Sequence, residues 1–204
     1  VRTTTQIIAK EGWKILSIVG VIFLLCWLLS WNVPGWISLI TFVCLLYFYY
    51  NPERIPQEDS KDAIIAPLDA KVKKIETKED GIYIELMKPI CFRGLLRMPF
   101  SGYATKEQEV FGLLNAKENN GEYVKIKFCK NEEIDAHNLE LKLYPTIYSY
   151  RISLCPKQLE KLGQRIGFFL SGKAVIKIPL NTELKVFEND RIYAGQTLMG
   201  YIRL

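Results

Sequence analysis

From Ile15 to Tyr50 the chain carries no charged side chain. A stretch this apolar cannot coat a water-exposed fold, so the chain is expected to divide into an anchoring part and a separate folded part. Two apolar runs, residues 15–31 and 36–50, flank Asn32-Val-Pro-Gly35. Each is near the short end of the ~17–25 residues that cross a bilayer. Asn-x-Pro-Gly is turn chemistry, because proline and glycine both stop helices. The pattern predicts a helical hairpin over residues 1–50, either spanning the bilayer or re-entering from one face. Trp27, Trp31 and Trp36 gather near the turn and Tyr47, Tyr49 and Tyr50 at the far end, where interfacial aromatics belong. Arg2, Lys10, Lys14 and Arg54 flank the outer ends, which places both ends on the cytoplasmic side of the inner membrane. The second apolar run argues against a cleaved signal peptide.

Residues 51–204 are enough for one buried core. Of the 27 basic and 22 acidic residues, only Arg2, Lys10, Lys14 and Glu11 precede residue 51, so the remainder is mildly basic. That balance argues against a nucleic-acid partner and suits work beside anionic phospholipid. The five cysteines, Cys26, Cys44, Cys91, Cys129 and Cys155, are odd in number and show no CxxC spacing. Neither a disulfide framework nor a metal site is expected, and the compartment reads as reducing.

The segment Gly163-Gln-Arg-Ile-Gly-Phe-Phe-Leu-Ser-Gly-Lys-Ala-Val-Ile-Lys-Ile-Pro179 reads as a strand over residues 166–170, a Ser171-Gly172 break, and a second strand over 174–178. Residues 64–72 read as strand, tight corner, strand. Residues 81–86 and 123–128 alternate as half-buried strands, and 139–143 and 147–154 are further candidates. Residues 186–199 read as strand, turn, strand. Pro156-Lys-Gln-Leu-Glu-Lys-Leu162 is the one short helical candidate, with proline at its first position and Gly163 at its end. Short strands, short turn-rich connections and little helix predict an all-β barrel or sandwich.

These motifs resemble the small bacterial type of phosphatidylserine decarboxylase. Gly163-Gln-Arg-Ile-Gly167 resembles the strand leading into that family's Gly-Ser corner, whose serine becomes a pyruvoyl group. Pro52-Glu53-Arg54 and Pro56 resemble its Pro-Glu-Arg segment, and Ala66-Pro-Leu-Asp-Ala-Lys-Val72 its Ser-Pro-Ala-Asp-Gly-Lys-Val. Pro89, Arg97, Pro99, Ser101 and Gly102 fit its histidine motif with one residue inserted. Val110-Phe-Gly-Leu-Leu-Asn-Ala116 and the ending around Ala194-Gly-Gln-Thr197 also match.

The resemblance implies a membrane-anchored protein of phospholipid metabolism with a β domain of that family's type. It marks Asp69, Ser171 and Lys173 as candidate catalytic residues, and Arg54, Arg93 and Arg97 as candidates for phospholipid, including phosphatidylserine. It also leaves room for a homo-oligomer or a partner protein.

Four departures matter. Anchored on Ile166-Gly167, the family's Gly-Ser falls on Gly172-Lys173; anchored on Ser171, the order inverts to Ser-Gly. The histidine column holds Arg93 or Gly94, the motif's aspartate is Cys91, and Ala70 replaces a glycine. The only histidine, His137, lies in a polar stretch expected to be a solvated turn. The expected protein is therefore a divergent relative with no pyruvoyl of its own and no other cofactor. The alternative is an active lyase making phosphatidylethanolamine, self-processed near Ser171. A biotinyl/lipoyl-type carrier, suggested by residues 66–72 and 194–198 and by Met87-Lys88, is weakened because Pro89 follows the lysine directly.

Overall fold

The computed structural model describes residues 8–9, 12–52, 54–58, 60, 62–110, 123–130, 138–146, 150–152 and 159–203. The chain divides into two compact units, Val1–Glu53 and Arg54–Leu204.

The first unit is a hairpin of two helices, α1 (Trp13–Leu28) and α2 (Asn32–Tyr49). α2, at 18 residues, is the one described helix long and apolar enough to cross a membrane; α1 is shorter. The turn lies one step earlier than its chemistry suggests. Leu29 to Trp31 make the reversal, with Ser30 at φ 54°, while Asn32-Val-Pro-Gly35 form the first turn of α2. Pro34 is tolerated there because the first N–H groups of a helix have no intrahelical acceptor to lose. At the open end the Ala9 N–H donates to the Tyr49 carbonyl at 2.7 Å. Gly12 has no room for a side chain, since a Cβ would sit 2.4 Å from the Tyr49 ring. Ile18, Leu24, Trp27, Leu28, Trp36 and Ile40 all face outward, more than half exposed.

The second unit is mainly β. Its strands are β1 (Ala63–Ile65), β2 (Ala70–Lys78), β3 (Gly81–Lys88), β4 (Leu95–Arg97), β5 (Tyr103–Val110), β6 (Tyr123–Cys129), β7 (Leu139–Pro145), β8 (Tyr150–Ile152), β9 (Arg165–Phe169), β10 (Gly172–Ile178), β11 (Thr182–Leu184), β12 (Arg191–Ile192) and β13 (Leu198–Ile202). Seven of them form one antiparallel sheet in the order β12-β2-β3-β10-β7-β6-β5. Two three-stranded sheets, β1-β13-β11 and β4-β9-β8, complete the unit.

Strict alternation along β3, β6, β7 and β10 sends every second side chain inward. Ile82, Ile84, Leu86, Val124, Ile126, Leu141, Leu143, Ala174 and Ile176 thereby join Leu96, Ile166, Phe169, Met199 and Ile202 from the smaller sheets in one core. Burying each large aliphatic side chain contributes about 1.5–3 kcal/mol.

The expected barrel is not closed. Among the described residues the large sheet ends in β12 on one side and β5 on the other, with no ladder joining them. The short helix expected from Pro156 is absent where the structure describes it: Glu160 forms a β-bridge with Gly102, and Gly163 turns the chain at φ 71°. Pairing with Gly102 satisfies the Glu160 N–H and carbonyl at 2.8 and 3.0 Å, which a helix would have used internally. His137 and Cys155 lie outside the described residues, as does most of the matched segment 110–116.

Candidate functional site at the β9–β10 corner

The corner that dominates the sequence joins β9 to β10 through Leu170 and Ser171. Gly172 opens β10 at φ 147°, opposite Lys88 of β3 on one side and Pro145 of β7 on the other. A Cβ on Gly172 would lie 2.1 Å from the Tyr144 carbonyl oxygen and 2.9 Å from Cζ of Phe169. Only glycine fits, both for backbone conformation and for space. Ser171 is buried, and its carbonyl accepts from the Thr146 N–H at 3.1 Å.

Beneath the corner sits Lys88. Along β3 the inward positions are Ile82, Ile84 and Leu86, and Lys88 is the next, so strand parity drives its side chain inside. The residue is 1% exposed. Its ammonium donates to the Phe92 carbonyl and to the Leu170 carbonyl, both at 2.9 Å. Burial pushes the amine down to about 8, opposed by the nearby Asp69 carboxylate and Cys91 thiol. Lys88 thus ties the turn after β3 to the corner before β10. The sequence reasoning missed this role, although a lysine continuing an Ile-x-Ile-x-Leu alternation was a usable signal.

Asp69, in the bend between β1 and β2, is buried. Its carboxylate is fully engaged. Arg54 donates from both terminal nitrogens, the second to Oδ2 at 2.7 Å, and the Ala194 N–H donates to Oδ1 at 2.7 Å. Arg54 also donates to the Ala194 carbonyl at 3.0 Å and lies over the Tyr193 ring, 5.5 Å from its centroid. Its side chain is 8% exposed, so the guanidinium is held by Asp69 inside this unit rather than presented at its surface.

Arg97 donates to the Gly163 carbonyl at 3.0 Å, at the start of the segment that leads into β9. Arg93 is half-buried in the connection between β3 and β4, beside the exposed Cys91. Lys173 points to the other face of the sheet and pairs with Glu85 at 3.2 Å. Strand parity separates it from the corner's interior, so the buried lysine there is Lys88.

A pyruvoyl group requires a serine at the corner and a base to take its proton. Position 172 admits only glycine, and the position after it carries Lys173 rather than a serine. At Ser171 the hydroxyl has no hydrogen-bonded base among the described residues, and Asp69 is spent on Arg54 and Ala194. The residues present do not fit formation of the group. Among the described residues there is also no cluster of three or more metal-ligating side chains.

No family model and no solved structure matches the chain. Curated proteins do, and their names agree. The phosphatidylserine decarboxylase proenzyme of Geotalea uraniireducens is 26% identical over 96% of this chain and 96% of its own. That of Burkholderia ambifaria is 27% identical over 95% of each chain. That of Polynucleobacter asymbioticus is 27% identical over 95% of this chain and 94% of its own. A similarity that runs nearly end to end on both sides makes this chain a relative of the phosphatidylserine decarboxylase proenzymes.

Proposed function

We propose that the protein is a membrane-anchored, phosphatidylserine decarboxylase-like protein of phospholipid metabolism that forms no pyruvoyl group and binds phospholipid or a partner protein. The observation that carries this reading is the residue after Gly172. Lys173 stands there where a serine would have to follow the glycine and is turned outward to Glu85, and Ser171, one step before Gly172, has no hydrogen-bonded base among the described residues. The apolar hairpin supports the anchoring, with α2 long enough to cross and Arg2, Lys10 and Lys14 at its outer end favouring the cytoplasmic leaflet.

The test is the denatured mass of the membrane-extracted chain. One species at 23.6 kDa is expected. A separate C-terminal piece beginning at residue 171, with a blocked N-terminus, would overturn the proposal.

One contact favours a second reading, self-processing at the Leu170–Ser171 bond. The Lys88 ammonium lies 2.9 Å from the Leu170 oxygen, where negative charge would gather if the neighbouring hydroxyl attacked that carbonyl. It remains second because a donor for the oxygen does not replace a base for the hydroxyl.

A further inference from the structure

Opposed residues on neighbouring strands point to the same face, and one such row crosses the large sheet at its corner end: Arg191, Lys71, Met87, Lys173 and Tyr144. Its inward neighbours, Ile192, Ala70, Leu86 and Ala174, are all buried, so this row faces out. Lys71 and Arg191 are exposed and have no carboxylate partner among the described residues. Arg191 instead lies over the Phe92 ring at 4.2 Å.

The far end of the same face is different. There Lys74 and Lys78 share Glu76, and Lys177 pairs with Asp80, so each of these cations has a carboxylate beside it. At the corner end Glu85 is shared by Lys73 and Lys173, and the two other nearby acids, Glu188 and Asp190, accept the Ile75 and Phe187 N–H groups. Beside the cations the surface is apolar. Met87 is 42% exposed, and Ile90 is 43% exposed on the tight turn that the Phe92 N–H closes onto the Pro89 carbonyl.

The geometry points to this rim, Lys71 and Arg191 flanking Met87 and Ile90, as a docking surface for an anionic phospholipid layer. Unpaired cations beside protruding apolar side chains match a surface of phosphate charge over hydrocarbon, and neither feature alone would. The turn that carries Ile90 also supplies the Phe92 carbonyl to Lys88, so docking would bear directly on the corner. This inference rests on the anchored reading above and adds to it the face that meets the lipid.

The experiment uses the full chain in phosphatidylcholine vesicles and in vesicles doped with phosphatidylglycerol, followed by flotation and by hydrogen exchange of segments 70–74, 87–92 and 190–193. Slower exchange of these segments is expected only where phosphatidylglycerol is present, and high salt should abolish it. Each basic side chain near an anionic surface is worth about fivefold in affinity. Lys71→Gln with Arg191→Gln should therefore weaken docking by about 25-fold, while Lys78→Gln, at the far end of β2, should leave it unchanged.

Equal exchange in both vesicles, with the chain retained by both, would overturn the rim and leave the anchor standing. Flotation with the doped vesicles alone would support the rim and remove the anchor. Protection that follows protein density rather than phosphatidylglycerol would place a second copy of the chain on this face and overturn the inference.

Discussion

The Lys88 ammonium donates to the Leu170 carbonyl at 2.9 Å across 82 residues of sequence, and that contact closes the corner between β9 and β10. A second bond, to the Phe92 carbonyl, fixes the turn at the end of its own strand. One buried cation therefore satisfies two main-chain acceptors on separate connections, the turn after β3 and the corner between β9 and β10. Desolvation is the cost of that arrangement, and it lowers the pKa of the amine.

Lys88 should make stability depend on alkaline pH. The amine titrates near 8 when folded and near its ordinary value of 10.5 when unfolded. Between those values the unfolded chain binds more protons, so stability rises with pH, by about 3 kcal/mol at most. Below pH 8 both states are protonated and this contribution is flat. Comparing urea unfolding of wild type and Lys88→Met across pH 7.5 to 10.5 (a window set by about those two values) isolates the effect, because other titrating groups cancel. The difference should grow in favour of wild type as pH rises. A parallel pair of curves would show that the folded amine titrates as it does in the unfolded chain, as an unburied lysine would.

At neutral pH the same substitution leaves the Phe92 and Leu170 carbonyls without their donor. Each unmet buried acceptor costs about 1–3 kcal/mol, offset in part by release from burying a charge. A net loss of about 1–3 kcal/mol is expected by thermal or urea unfolding at pH 7. A more stable Lys88→Met would mean that the contact is tolerated rather than useful.

How far residues alone carried the fold depends on the range of the forces involved. Alternation announced β3 and β6, because burial on one side of a sheet writes period 2 directly into the chain, and β-branched residues after a glycine announced β10. The corner at Ser171-Gly172 was legible for the same local reason. Pro34 misled by one turn, since the residue that ends one helix is equally at home starting the next. Pro156 to Leu162 misled because Gly102, far away in sequence, captured Glu160 as a strand partner. The site was less legible. Lys173 drew attention by its place beside the corner, yet its parity turns it outward to Glu85. The pairing of Arg54 with Asp69 was hidden because each was read separately, one for headgroups and one for catalysis.

Gly172→Ser should not restore processing. It would put a serine after Ser171 instead of after a glycine, and its Cβ would collide with the Tyr144 carbonyl oxygen, 2.1 Å away in a conformation that side chains rarely adopt. Strain and overpacking together cost about 2–5 kcal/mol. The expected outcome is an uncut chain with a lowered unfolding midpoint, read by denatured mass and urea titration. Ser171→Ala should leave both mass and midpoint near wild type. Cleavage in wild type that Ser171→Ala abolishes would decide for self-processing.

The Arg54–Asp69 pair offers the sharpest test of the site as a structural clamp. Both side chains are nearly buried, and the carboxylate holds three donors. Asp69→Ala leaves a guanidinium inside the domain without its counter-charge, and breaking a buried pair from one side costs about 3–5 kcal/mol. Arg54→Met alone should cost a comparable amount, since Asp69 would keep only the Ala194 N–H. Replacing both, as Arg54→Met with Asp69→Leu, removes the two charges together and should recover most of the loss. Urea unfolding of the four proteins yields the coupling energy, expected to exceed about 2 kcal/mol. Strict additivity would mean that Asp69 is not held by Arg54 in solution, and the clamp would be overturned.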